Sequence, residues 1–193
     1  MSDPLTYSFY GTTIPSLRNM AASAINILTT AKEERSTNNS LPSEKDILDS
    51  QLGDMLPFRM QPILLAKFPL TPLQNLKLNG SAPGPALNPG FASFDEVIDF
   101  LKQLQDVFDA VDAKAFNDSA DKSVDISFEA MNLTLHMTGL ADYFHSFVVP
   151  NSYFHLNTMY MLLRSKGFKL GKTVYISPFM SEQQQKDWAP MHK

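Results

Sequence analysis

Apolar residues recur along this chain at three- and four-residue steps in four stretches and at two-residue steps in one, which predicts four helices and a hairpin. In the first stretch the stripe is Leu17, Met20, Ala21, Ala24, Ile25 and Leu28. Its helix is expected to begin after Pro15, because the missing N–H would be unpaired in a first turn anyway. The second stretch, LGDMLPFRMQPILLAKF from Leu52 to Phe68, carries Pro57 and Pro62. An interior proline costs roughly 3 kcal/mol, so this helix either begins at Pro57 or is kinked. In the third, Ser93 with Glu96 three residues on completes a capping box, and Val97, Ile98, Leu101, Leu104, Val107 and Phe108 follow as one stripe that fades near Val111. The fourth runs from about Leu140 to Lys166 with a break or bend expected at Pro150. Gly167 is then the residue just past the helix end, with Arg164 and Lys166 complementing the dipole.

Before that last helix the period changes to two. Val124, Ile126 and Phe128 alternate with Asp125, Ser127 and Glu129, and Leu133, Leu135 and Met137 alternate with Thr134, His136 and Thr138. This reads as a β-hairpin with one buried face and His136 on the wet one.

The connecting segments are polar or rich in glycine and proline. Residues 34–45 read as a loop in which Ser43 and Asp46 cap a short turn through Leu48. Residues 79–90, NGSAPGPALNPG, read as a loop that tolerates insertion. The organisation expected is an N-terminal arm over 1–12, one helical domain over 13–178, and a polar tail over 179–193. From Phe168 the chain reads as irregular, with TVYIS, residues 173–177, a short extended piece, and His192 is a solvated terminus. Four striped helices bury their apolar faces most simply against one another, so the fold class is mainly all-α: a four-helix bundle with a small hairpin before its last helix.

Composition narrows the function classes. The 193 residues are 44% hydrophobic and 19% charged with a formal net charge of -4, an ordinary globular balance in a single domain. No basic face is apparent for nucleic acid, and no apolar run approaches the roughly 20 residues a membrane helix needs. No secretory signal is visible at the N-terminus, so a cytoplasmic protein is expected. The chain has no cysteine, which excludes disulfides, thiolate metal sites and cysteine nucleophiles. Methionine-rich helix faces would permit a homodimer.

Candidate chemistry concentrates in FHSFVVPNSYFHLNTMYMLLRSKG, Phe144 to Gly167, which holds His145 and His155. Ten residues of regular helix separate those two by about 15 Å of rise and roughly 80° of rotation. Metal–nitrogen bonds are about 2 Å, so only a chain reversal at Pro150 would let both share one ion. One histidine with Asp54 or Gln61 from the second helix is the remaining metal arrangement. Asn151, His155, Thr158 and Leu162 share one helix face, and Tyr153, Asn157, Tyr160 and Arg164 a neighbouring one. Asp142, three residues before His145, is placed to orient it. Asn151 doubles as the expected N-cap of the segment after Pro150.

The block from His145 through Pro150, Asn151, Tyr153, Phe154, His155, Tyr160, Leu163, Arg164 and Gly167 to Leu170, Gly171 and Lys172 resembles a DUF1993-like family. Its members are uncharacterised bacterial and fungal proteins of the DinB/YfiT-like superfamily of four-helix bundles. Asp54, Met55, Pro57 and Gln61 form a shorter second match. The resemblance implies that bundle over roughly Thr12 to Tyr175. It also implies kinship with metal-dependent thiol transferases, which hold a divalent metal with three histidines from two helices. This chain departs from that pattern in histidine number and spacing, so no metal ligand is assigned.

The function expected is cofactor-independent acid–base chemistry, such as isomerisation, dehydration or cyclisation, on a small, largely apolar organic molecule of the kind met in secondary metabolism. His145 and His155 are the candidate acid–bases and Tyr153 and Tyr160 the catalytic donors. Asp54, Gln61, Asn151 and Asn157 are the candidate substrate contacts. The alternatives are a non-catalytic ligand-binding or stress-related module and a DinB-like metal-dependent transferase or hydrolase.

Overall fold

Ser8, not Pro15, opens the first helix. In the computed structural model, which describes residues 7–128 and 132–192, α1 spans Phe9–Thr37 and the Ser8 hydroxyl caps it by accepting from the Gly11 N–H at 3.0 Å. Pro15 therefore stands inside the helix, and residues 9–12 of the expected arm are helical. Tertiary contacts offset the proline. The Phe9 ring stacks on Phe116 at 4.2 Å, and the Tyr10 N–H donates to Asn117 Oδ1 at 2.8 Å. Local propensity at a proline yields to a first turn anchored this way.

Helix α2, Glu44–Leu48, has the expected capping box between Ser43 and Asp46, and its Glu44 carboxylate accepts from the Phe94 N–H at the start of α4. Helix α3 spans Met60–Asn75, so it begins after Pro57 and runs beyond Phe68. Pro62 falls in its first turn, where a missing N–H loses nothing. Pro69 and Pro72 lie inside it. Pro72 cannot donate to the Phe68 carbonyl one turn back, and the buried Tyr143 hydroxyl donates there instead, at 3.3 Å. Removing that hydroxyl with Tyr143→Phe should lower stability by about 1–2 kcal/mol in urea titration. Burial already pushes the Tyr143 phenol far above its usual range, as for a neutral donor shielded from water.

Helix α4, Phe94–Asp109, starts at Ser93 as expected, but only half of the capping box forms. The Ser93 hydroxyl accepts from the Glu96 N–H, whereas the Glu96 carboxylate reaches past it to the Ala92 N–H at 2.8 Å. A short α5, Ala113–Asn117, precedes the hairpin of β1, Val124–Phe128, and β2, Leu133–Met137. The strands are antiparallel, with Asp125 opposite His136. Val124 and Ile126 are buried as the alternation predicts, but Leu133 is exposed. The side chains of Phe128 and Glu129 lie outside the described residues.

The largest departure is in the last helical region. Helix α6, Leu140–Asp142, passes into a π-helical segment, Tyr143–Val148, and then into α7, Val149–Ser165, without interruption. The Val149 N–H donates to the Phe144 carbonyl five residues back. A π turn spreads the backbone by one residue and makes room for the Pro150 ring, which a tight α turn would crowd. No break occurs at Pro150, and Asn151 is not an N-cap. The far end behaves as expected: Gly167 has φ +95°, its N–H donates to Arg164, and the Phe168 N–H donates to Leu163. TVYIS, expected as extended, lies largely in helix α8, Lys172–Ile176, and a 3-10 turn, Ser177–Phe179, follows. The tail from 179 is not simply polar, since α9, Glu182–Trp188, is a helix with its own capping box from Ser181 and Gln184. The His192 side chain lies outside the described residues.

Cross-contacts set the helix directions. Arg18 pairs with Asp109 and Lys32 with Asp95, so α4 runs antiparallel to α1. Thr13 meets His145, and Glu34 meets the Lys169 N–H, so α7 runs parallel to α1. Gln61 meets His155, and the Phe68 ring meets Phe147 at 5.0 Å, so α3 opposes α7. The order up, down, down, up leaves α3 and α4 parallel, and residues 76–93 must climb back along the bundle. Gly84, at φ +77°, would place a Cβ within 3.4 Å of Gln74 and Val107, and Arg59 reaches the Pro89 carbonyl. The 79–90 segment is thus an irregular connection, largely exposed, that touches the bundle at Gly84 and Pro89. One continuous core from Ile14 to Leu170 fills the bundle. Among the described residues no helix is long and apolar enough to cross a membrane.

Candidate functional site

Helix α7 carries the candidate residues, and its twist distributes them over three surroundings. His155 is 7% exposed and faces α3, where its Nδ1 lies 2.8 Å from Gln61 Oε1. The Gln61 amide nitrogen donates to the Leu56 carbonyl at 2.7 Å and to Pro57 at 3.4 Å, so its oxygen must face the imidazole. An amide oxygen only accepts, and His155 therefore carries its proton on Nδ1 and leaves Nε2 as an acceptor. No hydrogen-bond partner for Nε2 occurs among the described residues. Burial lowers the His155 pKa from 6.5 to about 4, which keeps the ring neutral at physiological pH. Asn151 lies one turn earlier on the same face. Its Nδ2 is buried and unpartnered.

His145 sits in the π-helical segment and turns toward α1. Its Nε2 lies 3.0 Å from Thr13 Oγ1 and 3.4 Å from Thr12 Oγ1, with the Phe9 ring edge-on at 5.6 Å. Asp142, expected to orient it, instead gives its main-chain carbonyl to Ser146. The two histidines thus face different helices, and both are held by neutral side chains. His136 is exposed on the hairpin and pairs with Asp125 at 2.8 Å.

Tyr153 and Tyr160 belong to a third environment, beneath the C-terminal segment. The Tyr153 ring stacks on Phe179 at 6.0 Å, and burial raises its pKa. The Tyr160 hydroxyl donates to the Leu170 carbonyl at 2.9 Å, and the Arg164 guanidinium donates to the same oxygen. Asn157 is exposed on the outer edge of α7, and Asp54 is exposed in the turn before α3; neither side chain has a hydrogen bond among the described residues. Of the eight candidates, the fold pairs His155 with Gln61, leaves Asn151 one turn from His155 on the same helix, and separates the other five from that pair.

A three-histidine metal site does not fit this arrangement. Among the described residues no three of His, Cys, Asp and Glu converge. The chemistry open to the α3–α7 seam is hydrogen bonding and proton transfer at a neutral imidazole. A separate, open pocket of about 460 Å3 lies at the C-terminal segment, lined by Ile176, Phe179, Met180, Gln184, Asp187 and Trp188. Its signal was present in the sequence as the i, i+3, i+4 spacing of Gln184, Asp187 and Trp188 behind a Ser181–Gln184 cap.

A model of the family described as a domain of unknown function (DUF1993) matches residues 9–176. The crystal structure of a DinB family member protein from Shewanella denitrificans is similar to this chain with a TM-score of 0.68 at 20% sequence identity. The similarity covers 86% of this chain and 90% of that one. At that identity the likeness shows the fold alone. None of the curated proteins matches.

Proposed function

We propose, from the premise that this chain belongs to the DUF1993 family and has a DinB-like fold, that it binds a small, largely apolar organic molecule at the α3–α7 seam, with His155 as proton acceptor. One observation carries the reading. An acceptor, His155 Nε2, and a buried donor, Asn151 Nδ2, lie one turn apart on one helix face, and neither has a partner among the described residues. An unpaired buried donor such as Asn151 Nδ2 costs about 1–3 kcal/mol, which a ligand oxygen accepting from it would recover. Gln61 fixes the tautomer that leaves Nε2 as the proton acceptor, as a general base requires. The Asn151 amide would then hold a carbonyl or hydroxyl oxygen of the same ligand. Isomerisation, dehydration or cyclisation of a hydroxy-carbonyl compound is the chemistry such a pair supports without a cofactor. A metal-dependent step is not part of the reading, because the side chains near His155 offer an amide rather than metal ligands.

The competing reading is that the His155–Gln61 pair only ties the 56–57 turn to α7, and the two Gln61 bonds to that turn favour it. Ligand-observed NMR with hydroxy-ketone fragments on the wild type, His155→Gln and Asn151→Ala separates the two. Loss of fragment binding in both folded variants is the expected result. Variants that keep every hit while losing only melting temperature would leave the pair a structural tie.

A further inference from the structure

The C-terminal pocket is open to solvent, with Gln184 and Asp187 exposed on its rim, and it has its own chemistry. Five of its six lining residues lie beyond the family match, which ends at residue 176. Its volume, about 460 Å3, lies within the range of small-molecule sites. Both walls are held in place. Phe179 is fixed by stacking against Tyr153 at 6.0 Å and Tyr175 at 6.1 Å. The opposite wall, α9, is tied to that turn by Gln185, whose amide donates to the Ser177 and Met180 carbonyls at 3.2 Å each. Gln184 is committed to the helix cap, since its amide oxygen accepts from the Ser181 N–H.

Two lining groups remain for a ligand. The Asp187 carboxylate accepts from Gln183 through one oxygen, and no ion pair engages it among the described residues. Trp188 follows it on the same face, half-buried, and its indole N–H has no partner among the described residues. A carboxylate beside aromatic faces attracts a cation whose other surface is apolar. The charge meets Asp187, the ring quadrupole of Trp188 adds cation–π attraction, and Phe179, Ile176 and Met180 take the hydrocarbon. We propose that this cavity binds a small organic ammonium ion, primary or quaternary, carried on an apolar body.

Trp188 is the only tryptophan in the chain, so its fluorescence reports the site directly. The protein is titrated with benzyltrimethylammonium, and with benzyl alcohol as a neutral probe of similar size. The expected result is a saturable change with the cation at an affinity about fivefold or more above that for the alcohol. Asp187→Asn should abolish this preference and leave the melting temperature unchanged, because the side chain is exposed. Equal response to the two probes, an unsaturable response, or an unchanged preference in Asp187→Asn would overturn the proposal. Two-dimensional NMR shifts centred on residues 176–188 provide a second readout, and shifts centred elsewhere would also overturn it.

Discussion

Acidification from pH 7 to pH 4 is expected to cost this protein roughly 3 kcal/mol of folding stability through His155 alone. Burial lowers its pKa from 6.5 to about 4, and no neighbouring charge contributes. Above pH 6.5 the ring is neutral in both folded and unfolded chains and adds no pH dependence. Between 6.5 and 4 the unfolded chain binds a proton that the folded one excludes, so stability falls as pH falls. Below about 4 both forms are protonated and the loss levels off. Each pH unit in that window is worth about 1.4 kcal/mol. Urea titrations of the wild type and His155→Gln across pH 7.5 to 4 isolate the effect, because every other titrating group is common to both. Glutamine can still hydrogen-bond Gln61 but does not titrate. Parallel stability curves for the two proteins would show that His155 is not shielded from water.

Phe116→Ala should be the most disruptive single substitution, costing about 3–5 kcal/mol. Phe116 is fully buried on the short α5. Its ring contacts Phe9 at 4.2 Å, Phe144 at 5.3 Å and Tyr10 at 6.2 Å. It therefore joins the first turn of α1, the π-helical segment and the chain ahead of the hairpin. At roughly 2–4 °C per kcal/mol for a chain of this size, calorimetry should show the melting temperature fall by about 6–20 °C. Hydrogen exchange adds a local signature. The Tyr10 N–H, bonded to Asn117 Oδ1, should lose protection before the amides in the middle of α1 do. If Phe9–Thr13 stay as protected as in the wild type, the first turn does not depend on this anchor.

The aromatic anchor also explains why α1 was only partly legible in its residues. The stripe from Leu17 to Leu28 marks a helix because periodicity is local, and the same holds for α4 and for the hairpin alternation. The start at Ser8 depends on Phe116 and Asn117, about a hundred residues away, and no local pattern around Pro15 records them. Proline misled at Pro150 for a related reason. A break and a π turn both accommodate its ring, and the helix stays continuous because Tyr143, Phe144 and Val148 are buried through the π segment itself. Tyr143 further reaches across to the Phe68 carbonyl that Pro72 cannot serve.

Among the candidate residues, Gln61 and His155 were legible as members of two helices, but not as partners. Their pairing needs α3 to run antiparallel to α7, which follows from the long connection that carries the chain back between α3 and α4. His145 and Tyr153 lie within ten residues of His155, yet they face α1 and the C-terminal segment, since a helix turns about 100° per residue. The chain's own periodicities, caps and lack of cysteine determined a mainly helical bundle with one hairpin and no thiol chemistry, because each follows from neighbours within a few residues. Which polar tips meet, which stay unpaired and where a cavity opens were decided only by tertiary packing. Each of those depends on helix direction and on contacts between residues far apart in the chain.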